Sequence, residues 1–335
     1  MKELSYPLVS VILPTYNVAR YLRQCLDSIK VQSYPNFEVV IIIDGATDGS
    51  FEIAKEFCKE DKRFSVYWQE NAGSGPARNA GLAYAKGDFV MFVDPDDWIE
   101  PECVETLMCA QQEKNFDLTI SNKIRCVFDK NDRLISKKNV KTDDFEIFGY
   151  DDCRRRYLDI YGKGYISAPT RKIYKMSIIK ENGVSFPPYR RCQDIVFNYR
   201  YYNYVSSIKS IDYHGYNYRI SFKNNVGKVR HEYYKTIAVI YNDIKDFHNK
   251  WLIKLDVKRL ASISFEESLY GYLQYSAYIN DDLVDVLNDN TILEIIEKAK
   301  PKKIQINIIR KLLFKKHIRL AKLLLRTIYI IKKHK

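Results

Sequence analysis

Three aspartates fall within four residues at the end of an apolar run, in Phe89-Val-Met-Phe-Val-Asp-Pro-Asp-Asp97. The run, bounded by Gly87-Asp88, reads as an interior strand of an α/β sheet. Carboxylates this close suppress one another's ionisation unless a cation or hydrogen-bond donors compensate. Asp94 and Asp96 are hard oxygen ligands at i and i+2, where an open α/β sheet holds its ligands. That chemistry points to a divalent cation holding a phosphorylated substrate. The alternative is a capped loop, in which Asp96 or Asp97 caps a helix beginning near Pro101 and the other carboxylates are solvated.

Three further stretches carry chemical side chains. Asp44-Gly45 pairs a carboxylate with a residue free to adopt positive φ, so that backbone can approach a ligand and the aspartate can accept from a nucleobase imide; an Asx turn capping a helix at Ser50 uses the same residues. Asn71-Ala-Gly-Ser-Gly-Pro-Ala-Arg78-Asn-Ala-Gly81 is a glycine-rich turn entering a helix, with Arg78 in its first or second turn. Orphan N–H groups and a guanidinium there make either an anion site or a surface ion pair. The spacing is neither G-x-G-x-x-G nor a P-loop. Asp194 follows the Pro187-Pro188 turn and Arg190-Arg191, and suits either a general base or a helix cap. His214 and Arg219 lie among tyrosines; His214 is either a third metal ligand or a core-edge histidine.

Positioning these residues takes a sheet. Strands are expected at 8–13, 37–43, 64–68 and 89–93, with helices at 19–30, 50–59 and 75–86 between them and a further strand at 117–121. This alternation predicts a mostly parallel sheet covered on both faces. Its loops 14–17, 44–50 and 94–97 leave the C-terminal strand ends and form one crevice. Residues 122–165 lose the rhythm and read as an insertion or acceptor-side region. A strand and short helix follow at 168–180, then a helix from Asp194 and a strand-like stretch at 208–219. A boundary near 222–230 leads into a helical remainder. The division expected is 1–225, with a ligand-holding half at about 1–120 and an acceptor half at about 121–225, then 226–335.

The chain of 335 residues suffices for one catalytic domain of about 200 residues and a smaller one. Its 27 tyrosines suit an interface, a core or ligand stacking equally. Seven cysteines, odd in number and without C-x-x-C spacing, fit a reducing compartment rather than zinc or a disulfide scaffold. The N-terminus shows no signal-peptide pattern, and no apolar stretch reaches the ~18 residues that span a bilayer. The net charge of +12 is concentrated at the end: residues 298–335 hold 14 Lys and Arg and no acid, leaving 40 basic against 42 acidic before them. A nucleic-acid partner is therefore not expected. From 304 to 331, Ile309, Leu313, Leu320, Leu324, Ile328 and Ile331 line one face of a helix, and Lys311, Lys315, Lys322 and Arg326 another. Such a helix lies in an anionic membrane surface, or packs on the catalytic domain or a second copy of the chain.

Taken together, these stretches resemble the family 2 glycosyltransferases of the GT-A fold, bacterial enzymes of capsular, exopolysaccharide and cell-wall glycans. The resemblance rests on Val9-Ser-Val-Ile-Leu-Pro-Thr-Tyr-Asn17, on Tyr21-Leu22, Cys25 to Ile29 and Gln32-Ser-Tyr34, on Asp44-Gly45 with Thr47 to Ser50, on Asn71 to Gly81, and on the D-x-D region Phe92 to Trp98. It is ordered over about 8–100 and looser to about 220. It implies that Pro14, Tyr16, Asp44 and Arg78 hold the nucleotide, and that Asp94 lies near the ribose or the metal. Asp96 would coordinate Mn2+ or Mg2+ on the diphosphate, Asp97 would position donor or acceptor, and Asp194 would be the base. Gln193, Arg191 and Arg219 fall on the acceptor or phosphate side. The implied reaction is inverting transfer from a nucleotide-diphosphate sugar, UDP-linked, to a hydroxyl of a glycan or lipid-linked glycan, at the cytoplasmic side of a membrane. The chain departs from the family at Ile43, Ala46 and Gln193, where Asp or Asn, Ser and Glu are usual. A non-catalytic or weakly active sugar-binding protein on the same fold is the other class, and a sugar nucleotidyltransferase a third, although Pro14-Thr-Tyr-Asn17 is not the basic glycine-rich loop the latter needs.

Overall fold

The computed structural model describes residues 6–140, 143–189, 192–221, 233–279 and 283–333. The chain divides into two compact units, Met1–Val226 and Gly227–Lys335. In the first, β1 (Val9–Thr15), α1 (Ala19–Lys30), β2 (Phe37–Asp44), α2 (Ser50–Glu60), β3 (Phe64–Gln69), α3 (Ser74–Tyr84) and β4 (Phe89–Phe92) alternate as the apolar periods predict. Every residue of β1 is buried, as are Leu22, Cys25, Leu26 and Ile29 of α1, so the strand is covered and the helix offers it one apolar stripe. Helix α3 approaches β1 so closely that a Cβ on Gly81 would lie 2.3 Å from Cγ2 of Ile12, and only glycine fits there.

The unit continues with β5 (Trp98–Ile99), α4 (Cys103–Glu113), β6 (Leu118–Ile120), β7 (Lys123–Phe128), β8 (Leu134–Val140), β9 (Phe145–Phe148), α5 (Tyr150–Arg155) and α6 (Tyr157–Gly162). After these come β10 (Lys172–Lys175), α7 (Met176–Glu181), α8 (Gln193–Tyr202), β11 (Ser207–Ser210) and β12 (Tyr216–Ile220). The large sheet has the order β3-β2-β1-β4-β10-β6-β11-β9. It is parallel from β3 to β4 and mixed beyond, because β10 runs antiparallel to both neighbours. The stretch 208–219, expected as one strand, is two strands in two sheets: β11 joins the large sheet and β12 a small one of order β5-β12-β7-β8. The second sheet brings β12 beside β5, immediately after the aspartate cluster.

Many tyrosines build the core. Tyr34, Tyr201 and Tyr202 are buried with their hydroxyls donating to the carbonyls of Pro7, Asp117 and Cys153, at 2.7, 2.5 and 2.6 Å. A buried phenol usually finds such a partner, because burying the hydroxyl without one costs free energy.

The second unit is helical: α9 (Tyr233–Lys250), α10 (Val257–Ser264), a π-helical turn (Phe265–Leu269), α11 (Tyr270–Tyr278), α12 (Val284–Asn288), α13 (Asn290–Lys298), α14 (Ile304–Phe314) and α15 (Ile318–Lys333). The expected single helix over 304–331 is thus two. Lys316 takes the left-handed conformation at φ 59°, and the N–H groups of Lys316 and His317 close back on the carbonyls of Leu313 and Leu312. This is the helix ending that glycine usually makes; lysine in that place concealed it. The break also divides the expected apolar face. Ile309 and Leu313 are buried, whereas Leu320 and Ile331 are exposed and Ala321 and Leu325 take the inward positions. No helix among the described residues is long and apolar enough to cross a membrane.

Candidate functional site at the carboxyl rim of the sheet

Strands β2, β1 and β4 are adjacent and parallel, so their C-terminal ends share one rim. From β4 the chain enters a tight turn: Asp97 N–H donates to Asp94 carbonyl at 3.0 Å, and Pro95 supplies the fixed φ of the second turn position. Neither Asp96 nor Asp97 caps a helix, since α4 begins at Cys103 behind Glu102. The three carboxylates have different surroundings. Asp97 is 1% exposed. Its Oδ2 accepts the Tyr216 hydroxyl at 2.7 Å and its Oδ1 the Arg219 N–H at 2.7 Å. Burial, then the charges of Asp96 and Asp94, push its pKa well up. Asp97 therefore fastens the turn to β12 with both oxygens engaged and buried, where a contact with donor or acceptor was expected. Tyr216 also accepts the Asp94 N–H at 3.1 Å, so one buried phenol sets the orientation of two aspartates.

Asp94 points the other way, to Arg78. The Arg78 guanidinium is 4% exposed and lies between two carboxylates, with Nη2 at 2.7 Å from Asp94 Oδ1 and Nη1 at 2.8 Å from Asp194 Oδ1. The surface ion pair considered from sequence is instead a buried bridge. Burial opposes the guanidinium charge, but Asp194 and Asp94 outweigh it, and the pKa is raised. The Asp94 and Asp194 side chains remain 31% and 30% accessible. Residues 116 apart in sequence thus meet across one planar group.

Asp194 lies in the first turn of α8, where its carboxylate meets Arg78 and caps nothing. Its carbonyl accepts Asn198 Nδ2 at 2.7 Å, and Asn198 Oδ1 accepts the Tyr174 hydroxyl at 2.7 Å, tying the helix start to β10. Desolvation raises the Asp194 pKa and Arg78 works against that rise. Gln193, buried beside it, donates to Ser74 Oγ at 2.6 Å while its Oε1 has no partner among the described residues. The two helix starts touch because residue 75 is glycine: a Cβ there would meet the Pro187 carbonyl at 2.9 Å. Arg191 lies outside the described residues.

The nucleotide-side residues separate similarly. Tyr16 is 50% exposed at the rim. Pro14 is buried inside β1, which runs two residues further than expected and pairs Pro14 with Ile42, so its side chain is not offered to a ligand. Asp44 is buried, accepting Gln69 Nε2 at 2.7 Å, Ala72 N–H at 2.9 Å and Gly73 N–H at 2.8 Å. It shapes the turn into α3. The Asx turn weighed for Asp44 is made by Asp48, which accepts the N–H groups of Ser50 at 3.1 Å and Ala19 at 2.8 Å, the first residues of α2 and α1.

His214 does not join the cluster. Its ring lies 3.9 Å from Asp212, and the β12 register pairs Asn217 with Trp98, carrying residue 214 away from Asp96. Among the described residues no group of three or more His, Cys, Asp or Glu is arranged for a metal. With Asp97 turned inward, Asp94 and Asp96 are what the turn offers a cation. Two carboxylates suit a small hard ion that takes its other ligands from phosphate and water. Sequence reasoning missed Tyr216 and Asp48; a buried tyrosine among many and one aspartate in a polar turn carry no distinguishing signal.

Comparison with known proteins bears on the family and the fold. Residues 10–183, over half the chain, match the family described as Glycosyl transferase family 2, a match that stops short of Asp194. EpsH of Bacillus subtilis (strain 168) is 31% identical over 240 residues, covering 70% of this chain and 67% of that one. Glycosyltransferase GlyG of Streptococcus pneumoniae serotype 4 is 33% identical over 224 residues, covering 63% and 70%. In structure the chain resembles S. aureus TarS 1–349 in complex with UDP-GlcNAc, with a TM-score of 0.65 at 21% identity over 95% of this chain and 90% of that one, a likeness of the GT-A fold. The chain belongs to glycosyl transferase family 2, enzymes that move a sugar from a nucleotide-sugar donor to a glycan acceptor.

Proposed function

We propose that the chain transfers a sugar from UDP to a hydroxyl of a glycan or lipid-linked glycan with inversion, using Asp194 as general base. The carrying observation is the Arg78 guanidinium shared by Asp94 and Asp194. It puts the proposed base one side chain away from the carboxylate at the proposed donor end, so that donor and acceptor hydroxyl could be held in one site. In that displacement the acceptor oxygen bonds to the anomeric carbon as the bond to the diphosphate oxygen breaks. The electron pair leaves with the diphosphate and the hydroxyl proton passes to Asp194. A single displacement inverts the carbon. Arg78 keeps Asp194 ionised in a site where burial favours its neutral form. Asp96 and Asp94 would hold Mn2+ or Mg2+, which when bound neutralises charge on the departing diphosphate. UDP is the nucleotide we assign, with the similarly folded TarS solved with UDP and UDP-GlcNAc in support.

Replacing Asp194 with Asn tests the reading. Turnover should fall about 10²–10⁴-fold, the usual contribution of a general base, while calorimetry with Mn2+ still shows UDP binding. Turnover equal to wild type would remove Asp194 from the mechanism.

The second unit carries an exposed apolar surface of its own. On α15, Leu320, Leu323, Ile330 and Ile331 are exposed on one stripe, with Arg319 and Arg326 beside it. We assign this stripe to shallow insertion in an anionic lipid surface, which would hold the enzyme near a lipid-linked acceptor at the cytoplasmic face of a membrane.

A further inference from the structure

Beside Asp96 and Asp97, and built without Asp194, Asp44 or Tyr16, the first unit contains a second cleft of about 440 Å³. One wall is α1, the other the hairpin of β7 and β8, and the floor is Arg219 with Trp98. The hairpin is fixed over the cleft. Asp129 Oδ1 accepts the N–H groups of Asn131 and Arg133 at 2.8 and 2.9 Å, closing the turn. Asp132 at its tip pairs with Arg20 Nε at 2.9 Å across the opening. Arg219 is buried and held by its Nε on the Asp96 carbonyl at 2.8 Å and its Nη2 on Gln24 Oε1. Around its guanidinium stand the rings of Phe128, Tyr21 and Trp98, with centroids at 4.2, 4.6 and 5.0 Å.

These rings are half-buried, so each packs on the guanidinium and keeps part of its surface towards the cleft. Gln24, Arg20 and Asp132 surround them with planar groups that donate or accept in pairs. A wholly apolar ligand would desolvate those charges without replacing their partners. A pyranose ring meets both demands, with C–H faces for the aromatic rings and vicinal hydroxyls for amide, carboxylate and guanidinium. The volume lies in the range of small-ligand sites, about 300–1,000 Å³. Since Arg219 and Trp98 also form the wall behind Asp96, a chain seated here continues towards the donor turn.

We infer that this cleft is a carbohydrate subsite holding a sugar of the acceptor chain beyond the unit that reacts. The inference rests on the glycosyltransferase reading above. Length selectivity follows from it: acceptors long enough to reach the cleft gain contacts that a single sugar cannot make.

The test uses the full chain on an array of immobilised bacterial glycan fragments of increasing length, read beside UDP calorimetry on the same wild-type protein. Wild type should retain fragments of two or more sugars and release single sugars. Phe128→Ala should weaken retention about tenfold or more, and Leu134→Asp, on the cleft's rim, should do the same; melting temperatures close to wild type would verify that both variants fold. Retention unchanged in both folded variants overturns the subsite. So does absence of glycan retention by a wild type that binds UDP, and in that case the donor reading stands. Failure of wild type to bind UDP while fragments are retained strikes the donor reading and leaves the subsite.

Discussion

The rim of the sheet and the last two helices use charge in opposite ways. At the rim, Arg78, Asp97 and Arg219 are buried and each is held by two or more partners distant in sequence. On α15 the charges flank an exposed apolar stripe. Buried charge demands geometry, because an unpaired ion in the interior costs several kcal/mol; surface charge demands only a helix and a period. The first arrangement is therefore sensitive to one atom, the second to the sum of a face.

That contrast can be broken first at Arg78. Arg78→Gln should reduce turnover about 100-fold or more by uncoupling the two carboxylates. It should also move the acid limb of the pH–rate profile upward. Burial already raises the Asp194 pKa and Arg78 restrains the rise, so without Arg78 a higher pH is needed to ionise the base. Arg78→Lys, charged but unable to fork, should fall between. An unshifted limb in the Gln variant would show that Arg78 does not govern the base.

A smaller effect is expected on α15. Leu323→Glu with Ile330→Glu should lower partition to anionic liposomes about tenfold at low salt, with soluble-acceptor turnover unchanged. Partition equal to wild type would refute the stripe as a membrane contact. The smallest effect lies at the helix break. Lys316→Gly should stabilise the second unit by about 1 kcal/mol, since glycine adopts left-handed φ without the Cβ penalty. A denaturant midpoint that falls would mean the break is held by other interactions.

Much of the rim was legible because it is written locally. The apolar runs of β1, β2 and β4 give strands, and Gly73, Gly75 and Gly81 mark a turn and a close helix. Opposed roles for neighbouring aspartates were not legible. Whether Asp97 faces in or Asp94 faces out depends on Tyr216 and Arg219, about 120 residues later in the chain, and on β12 leaving the large sheet for a small one. Asp44 and Asp48 show the same limit, since either suits a cap by type and only the position of Ala19 decides. In the second unit the period predicted helices, but a lysine in a glycine conformation divided them, and packing chose Ala321 and Leu325 over Leu320 as the inward face.

The shared guanidinium also has a consequence for the order of events in time. As long as Arg78 is divided between Asp94 and Asp194, its charge would hold the proposed base in a weakly basic state. On the proposed mechanism, a diphosphate arriving beside Asp94 would compete for the same N–H groups, and each one drawn off would strengthen Asp194 as a proton acceptor. The enzyme would then be least able to activate water when empty and most able to activate an acceptor once charged with donor. Initial rates at varied donor and acceptor should follow a compulsory sequence with donor first, and a random-order pattern would contradict it.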